Sequence, residues 1–87
     1  MATKRHVLEN TGMNIDKKFD KFLASVGANI KAARLEAGYT QEEMCQFGFN
    51  YRHYQRVESG KHAPSLHTLF RLAEALGIEV EDLLFRR

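Results

Sequence analysis

The sequence lacks the features that mark several protein classes. Cys45 is the only cysteine among 87 residues, which excludes an internal disulfide framework and a metal site built from several cysteines. Pro64 is the only proline, and the six glycines are scattered along the chain, so no collagen-like or low-complexity segment occurs. No apolar run is long enough for a signal peptide or a membrane span. We therefore expect a cytoplasmic protein with no membrane partner.

The sequence also lacks the residue patterns of catalytic and metal sites. None of its four histidines has a second ligand at metal-binding spacing, and neither a nucleophile–base pair nor a phosphate-binding glycine loop is present. We predict neither an enzyme nor a bound metal or cofactor. The histidines are His6, His53, His62 and His67.

Charge is nearly balanced overall but is unevenly distributed. The net charge is +2, yet residues 1–31 contain six basic and three acidic side chains, while residues 74–84 contain four acidic side chains and no basic one. A chain polarised in this way can present one face to a polyanion such as DNA. An ordinary solvated surface explains the same distribution equally well.

Apolar residues at helical spacing predict a long first helix. Residues 1–13 are polar and show no helical or strand periodicity, so we expect a flexible arm there. The domain then covers residues 14–87. Asn14 or Asp16 can cap the helix, and Gly38 suits the position after its end. Gly27 lies inside the helix, where it costs about 1 kcal/mol relative to alanine and allows a kink. The apolar stripe is Phe19, Phe22, Leu23, Val26, Ile30 and Ala33.

Two short helices joined by a tight turn follow the first. Residues 40–43 form a capping box, in which a threonine at the N-cap is followed three residues later by a glutamate. The second helix that it opens must end at Gly48. Asn50 then caps a third helix, which directs Tyr54 and Val57 towards the core. This pair has the length of a helix-turn-helix.

The remaining chain predicts two further helices and therefore a compact, five-helix, all-α domain. Ser65 caps the fourth helix, which ends at Gly77. A short fifth helix covers residues 80–85, and no strand-like alternation occurs in the sequence. The apolar stripe of the fourth helix is Leu66, Leu69, Phe70, Ala73 and Leu76.

Four segments of the sequence occur in a characteristic order: IKAARLEAGYTQEE at residues 30–43, VESGK at 57–61, PSL at 64–66 and LAEALG at 72–77. In these segments the sequence resembles the Cro/XRE-type, lambda-repressor-like, helix-turn-helix transcriptional regulators. Each segment by itself is common in other proteins, but the order and spacing of the four are specific to this family. The resemblance covers about residues 28–85. One departure occurs near residues 45–47, where the chain is one residue shorter than the family pattern. We therefore expect a tighter second helix or turn, so the family pattern does not fix the angle of the third helix.

The third helix contains the candidate DNA contacts. With Tyr54 and Val57 inward, its polar residues face outward, and an arginine there can form a bidentate pair with guanine worth about 1–3 kcal/mol of discrimination. The resemblance implies base contacts at Tyr51, Arg52 and Arg56, and a phosphate contact at Gln41. Solvated helix residues are the alternative interpretation. The candidate DNA-binding residues are Gln41, Asn50, Tyr51, Arg52, Gln55, Arg56 and Lys61.

The resemblance also implies structural roles for several other residues. Arg34 and Glu58 are expected to form a partly buried ion pair that joins the first helix to the third. Cys45 is expected to be a small, buried, inert thiol. We expect the aromatic residues to occupy core or turn positions, where no ligand is needed to explain them: Phe19, Phe22, Phe47, Phe49 and Phe70.

The sequence therefore predicts a sequence-specific DNA-binding regulator of transcription. A small homodimeric repressor or controller would read a near-palindromic operator, with the dimer formed through the last helix or the first helix. The alternative is a helix-turn-helix module, antitoxin-like for example, that acts mainly through a protein partner, because the fold alone does not fix the function.

Overall fold

The computed structural model describes residues 12–85 of the chain, with side chains from residue 14. This part contains four α-helices, one short 3₁₀ helix and no strand, which confirms the all-α prediction. No helix among the described residues has the length and apolar character needed to cross a membrane. The elements are α1 (Gly12–Ala37), a 3₁₀ helix (Glu43–Phe47), α2 (Tyr51–Glu58), α3 (Leu66–Leu76) and α4 (Val80–Leu84).

The first helix begins earlier than the sequence predicts. Because α1 already starts at Gly12, Asn14 and Asp16 lie within the helix, and the prediction that one of them caps it is wrong. Residues 12 and 13 of the predicted flexible arm belong to this helix. The rest of the arm, residues 1–11, lies outside the described residues. At the other end, Gly38 adopts a left-handed conformation with φ of 87°, as expected after a helix.

Gly27 does not interrupt α1. Its lack of a side chain allows the end of α2 to pack closely on this helix. A Cβ atom at this position would lie 2.5 Å from the backbone oxygen of Glu58 and 2.9 Å from that of Val57. The C-terminal end of α2 therefore packs directly on the backbone of α1. Only glycine permits this approach.

The apolar stripe of α1 is buried over its C-terminal half alone. Val26, Ile30 and Ala33 lie in the core, whereas no side chain from residue 14 to residue 25 is buried. Phe19 and Phe22 keep 47% and 41% of their surface exposed, so their prediction as core residues is wrong. The cause is tertiary: the helices packed on α1 cover the stripe from Val26 onwards.

The second helix is a 3₁₀ helix rather than an α-helix. Its predicted capping box is confirmed: the amide of Glu43 donates to Thr40 Oγ1 over 3.1 Å, and Glu43 Oε1 accepts from the amide of Thr40 over 2.8 Å. A 3₁₀ helix rises more per residue than an α-helix, so fewer residues span the same distance. This tighter element agrees with the missing residue near 45–47. The domain thus has four α-helices and a 3₁₀ helix, not five α-helices.

The inward face of the 3₁₀ helix is narrow. Met44 is fully buried, whereas Cys45, the next residue, is exposed, so the predicted buried thiol is wrong. With three residues per turn, a five-residue helix turns few side chains towards the core. Phe47 is half-buried and contacts Tyr39 edge-on, with ring centroids 5.4 Å apart.

The last two helices complete the core. Ser65 caps α3 by accepting from the amide of Thr68 over 3.0 Å, and Gly77 ends the helix with φ of 69°, as predicted. The buried face of α3 is rotated relative to the prediction: Leu66 and Phe70 are exposed. Its buried residues are Leu69, Leu72, Ala73 and Leu76. In α4, Leu83 is fully buried, and its backbone oxygen accepts from Asn29 Nδ2 of α1 over 3.0 Å.

Candidate nucleic-acid interface

One face of α2 lies in the core and the other faces solvent. Tyr54 and Val57 are each only 1% exposed, as the sequence predicts. Asn50 caps the helix, its Oδ1 accepting from the amide of His53 over 3.0 Å. On the opposite face Tyr51, Arg52 and Arg56 are exposed and Gln55 is half-buried.

The core side of α2 is anchored by a buried ion pair. Glu58 forms a bidentate pair with Arg34 of α1, with N–O distances of 2.8 and 2.9 Å, so the predicted pairing is confirmed. Tyr54 also donates its hydroxyl hydrogen to Glu58. Arg34 makes a further bond to the backbone oxygen of Tyr39 over 2.8 Å, which ties the chain after α1 to the same cluster.

The hydrogen bonds around Glu58 keep it charged. Burial alone would raise the pKa of its carboxyl group, but the bonds from Arg34, Tyr54 and Gln41 outweigh burial and lower that pKa below its ordinary value. The bond to Glu58 raises the pKa of Arg34. No buried side-chain nitrogen or oxygen in the described part of the chain lacks a hydrogen-bond partner. The cluster is therefore a fully satisfied polar network.

A chain of hydrogen bonds connects this buried pair to the exposed face of α2. Gln41 Nε2 donates to Glu58 Oε1 over 2.9 Å, and Gln41 Oε1 accepts from Gln55 Nε2 over 3.2 Å. Gln55 Nε2 also donates to the hydroxyl of Tyr51 over 3.1 Å. Three residues that the sequence nominates separately are thus joined. Tyr51 and Gln55 are four residues apart on one helix, a spacing that predicts contact between their side chains. The sequence therefore indicates one bond of this hydrogen-bond network.

The two arginines of α2 form a basic row beside this chain. Arg52 and Arg56 are four residues apart, about one helical turn, and both are exposed. Lys61 follows the helix and is exposed, and the amides of Lys61 and His62 donate to the backbone oxygen of Arg56 over 2.9 and 3.2 Å. These bonds fix the start of the loop against the end of α2.

Sequence reasoning missed a residue that holds the turn before α2. Arg71 of α3 donates from Nη2 to the backbone oxygen of Phe47 over 3.0 Å, and its guanidinium lies 4.6 Å from the ring centre of Phe49. A Cβ atom at Gly48 would lie 2.9 Å from the same Nη2. Because Arg71 is distant in sequence from this turn, no local pattern identifies the contact.

The part of the chain that the structure describes offers no metal centre beside this surface. Among the described residues, no group of three or more histidine, cysteine, aspartate or glutamate side chains is arranged to hold a metal ion. Lys4, Arg5 and His6 belong to the N-terminal arm predicted from the sequence and lie outside the described residues.

The fold and the solvent-facing α2 define a helix-turn-helix domain. Residues 30–83 match the family model described as "Helix-turn-helix", and the chain belongs to this family, in its Cro/XRE-type branch of regulators. The match covers more than half of the chain and contains all the candidate contact residues.

Two relatives carry names consistent with this family. The chain is 38% identical over 60 residues to an uncharacterized HTH-type transcriptional regulator, y4dJ, of Sinorhizobium fredii, covering 68% of this chain and 78% of that protein. It is 37% identical over 59 residues to an SPbeta prophage-derived uncharacterized HTH-type transcriptional regulator, YonR, of Bacillus subtilis. There the alignment covers 67% of this chain and 55% of the relative. No solved structure matches the chain significantly. Both relatives are named as regulators and neither as an enzyme.

Proposed function

We propose that this protein is a homodimeric transcriptional repressor or controller that binds a near-palindromic operator, with α2 in the major groove. DNA binding and regulation of transcription agree with its family and with the names of its relatives. The observation that carries the proposal is the exposed pair Arg52 and Arg56 on α2, opposite the buried Tyr54 and Val57. The major groove, about 12 Å wide, admits one α-helix with its side chains against base edges.

Each candidate residue then has a role set by its position. Arg52, near the start of α2, is suited to a bidentate bond with guanine, and Arg56 lies one turn further along the same face. Gln41 uses one of its two amide hydrogens on Glu58, and the other is available to a phosphate oxygen. Asn50 caps the helix whose free amides favour a phosphate at this end. Lys61 is suited to a phosphate beyond the other end.

Exposed apolar side chains on α1 and after α4 support the dimer. Ile15 is 51% exposed and Phe85 is 61% exposed, and Phe22 lies against Phe85 with ring centroids 6.3 Å apart. Together with Phe19 these four residues form what we call the α1–α4 apolar surface. A second copy of the chain would remove it from water. A two-fold dimer would place two α2 helices about 34 Å apart, one turn of DNA.

Selection of DNA from a random library by the purified protein tests the proposal. We expect one near-palindromic motif, with an affinity that falls steeply as salt rises because phosphate contacts release counterions. Arg52→Ala with Arg56→Ala is expected to abolish the sequence preference while the far-UV circular dichroism spectrum stays unchanged. Lys17→Ala with Lys21→Ala is the matched control, since it removes the same charge at the same spacing from α1. This control is expected to retain the motif.

The same α1–α4 apolar surface favours a second candidate function, binding to a different protein. In that case the chain alone would be monomeric in sedimentation experiments, and any DNA binding would survive the change of both arginines. Recovery of DNA without a motif would contradict the operator-binding proposal and support this alternative.

A further inference from the structure

The orientation of the Gln41 amide is fixed by chemistry. Its partner, Glu58, is ionised and paired with Arg34, and an ionised carboxylate only accepts hydrogen bonds. Gln41 must therefore turn Nε2 towards Glu58, which directs its oxygen to the other side. That oxygen lies 3.2 Å from Gln55 Nε2. The buried charge thus sets which atom Gln41 presents to α2.

The orientation of Gln55 follows from that of Gln41. An amide group has two N–H donors and one carbonyl acceptor. Gln55 donates one hydrogen to Gln41 Oε1 over 3.2 Å and the other to the hydroxyl of Tyr51 over 3.1 Å. Both donors are used inside the protein. No donor among the described residues reaches Gln55 Oε1, and Gln55 is only half-buried, so this oxygen remains for an external ligand.

We propose that Gln55 contacts its base through the carbonyl oxygen alone, and so selects a base with an exocyclic amino group in the major groove, adenine N6 or cytosine N4. This inference rests on the proposed function, because it requires α2 to enter that groove. The usual glutamine contact is bidentate to adenine and needs a free N–H as well as the oxygen. Guanine and thymine present the keto oxygens O6 and O4, which repel a carbonyl oxygen, so the preference concerns which strand carries the amino group at the position that Gln55 faces.

Beside the acceptor of Gln55, Tyr51 presents a hydrogen-bond donor. Its hydroxyl oxygen accepts from Gln55 Nε2, so its own hydrogen is free to be donated. The exposed face of α2 thus offers an acceptor at Gln55 and a donor at Tyr51. Gln41 and Glu58 act as positioning residues: neither needs to touch the base, but together they fix the polarity of the contact.

The test is DNA selection with the full chain and two variants of Gln55. Wild type should select one base pair of each half-site that Gln55→Leu no longer selects. Removing the exocyclic amino group of that pair, by purine in place of adenine or pyrimidin-2-one in place of cytosine, should weaken binding by wild type at least about fivefold and should not weaken binding by Gln55→Leu. Gln55→Glu keeps an acceptor and no donor, so it should retain the amino-group preference. Gln55→Leu has neither and should lose the preference at that position only. Gln46→Leu and Gln46→Glu are the matched controls, because Gln46 is an exposed glutamine of the 3₁₀ helix.

The outcomes separate this inference from the function on which it rests. A motif that is unchanged in Gln55→Leu, or binding by wild type that does not weaken when the amino group is removed, overturns the inference and leaves the operator-binding function intact. Absence of any motif with wild type overturns the proposed function and this inference together. Retention in Gln55→Glu with loss in Gln55→Leu supports it and shows whether adenine or cytosine is bound.

Discussion

The exposed face of α2 and the exposed N-terminal half of α1 differ in how their side chains are held. On α2, Tyr51 and Gln55 are bonded to each other and through Gln41 to a buried ion pair. On α1, Phe19 and Ile15 project from a helix segment with no buried side chain. The first surface is polar and preorganised, so it can discriminate between ligands by hydrogen-bond polarity. The second is apolar and becomes favourable only when something covers it.

The largest expected effect comes from breaking the anchor of α2. Glu58→Gln removes the charge opposite Arg34, whose side chain is 7% exposed, and should lower the free energy of unfolding by about 3–5 kcal/mol, because a buried guanidinium loses its counter-charge. Urea unfolding followed by circular dichroism measures the loss. Glu42→Gln, at an exposed position, is the control and should change stability by less than about 0.5 kcal/mol. Equal stabilities of the two variants would refute the anchoring role.

Acid should weaken the same anchor without a mutation. The folded-state pKa of Glu58 lies below the ordinary value for glutamate, about 4.3. The stabilisation from its charge is therefore complete above that ordinary value and is lost as the pH falls through the lower folded-state pKa. A ¹³C NMR titration of the Glu58 carboxyl measures the midpoint directly. A midpoint at or above 4.3 would contradict the hydrogen-bond network described for this carboxylate.

Gly27→Ala tests the close contact between α1 and the C-terminal end of α2. Although alanine favours helices by about 1 kcal/mol, its Cβ would lie 2.5 Å from the backbone oxygen of Glu58. We expect a net loss of about 1–3 kcal/mol from overpacking. Thermal or urea unfolding provides the measurement, with Ser25→Ala, at an exposed position of α1, as control. A stabilised Gly27→Ala protein would mean that the two helices separate at little cost.

The smallest effect on folding is expected on the exposed side of α1. Ile15→Ser with Phe19→Ser should change monomer stability by less than about 0.5 kcal/mol per site, because neither side chain is buried. The same change should dissociate the proposed dimer, as seen by sedimentation velocity. Leu35→Ser removes a side chain that is 57% exposed elsewhere on α1 and should leave the dimer intact. If both variants dissociate equally, the dimer does not use the N-terminal half of α1.

Much of the local structure is predictable because its signals lie within one helical turn. The caps at Asn50 and Ser65 and the capping box of residues 40–43 each join residues three apart. The inward direction of Tyr54 and Val57 follows from helical spacing in a short helix. The candidate contact residues on α2 follow in turn, since they occupy the remaining face.

The sequence by itself determined where α2 and α3 begin, where α3 ends and which face of α2 meets solvent, because capping and periodicity act over three to four residues. Only the tertiary structure decided that Phe19 and Cys45 are exposed, since burial depends on which helix covers a stripe. It also decided the polarity of Gln55, which is set through Gln41 by a carboxylate on the far side of α2. A glutamine in a sequence carries both a donor and an acceptor. Its neighbours in space determine which of the two remains available.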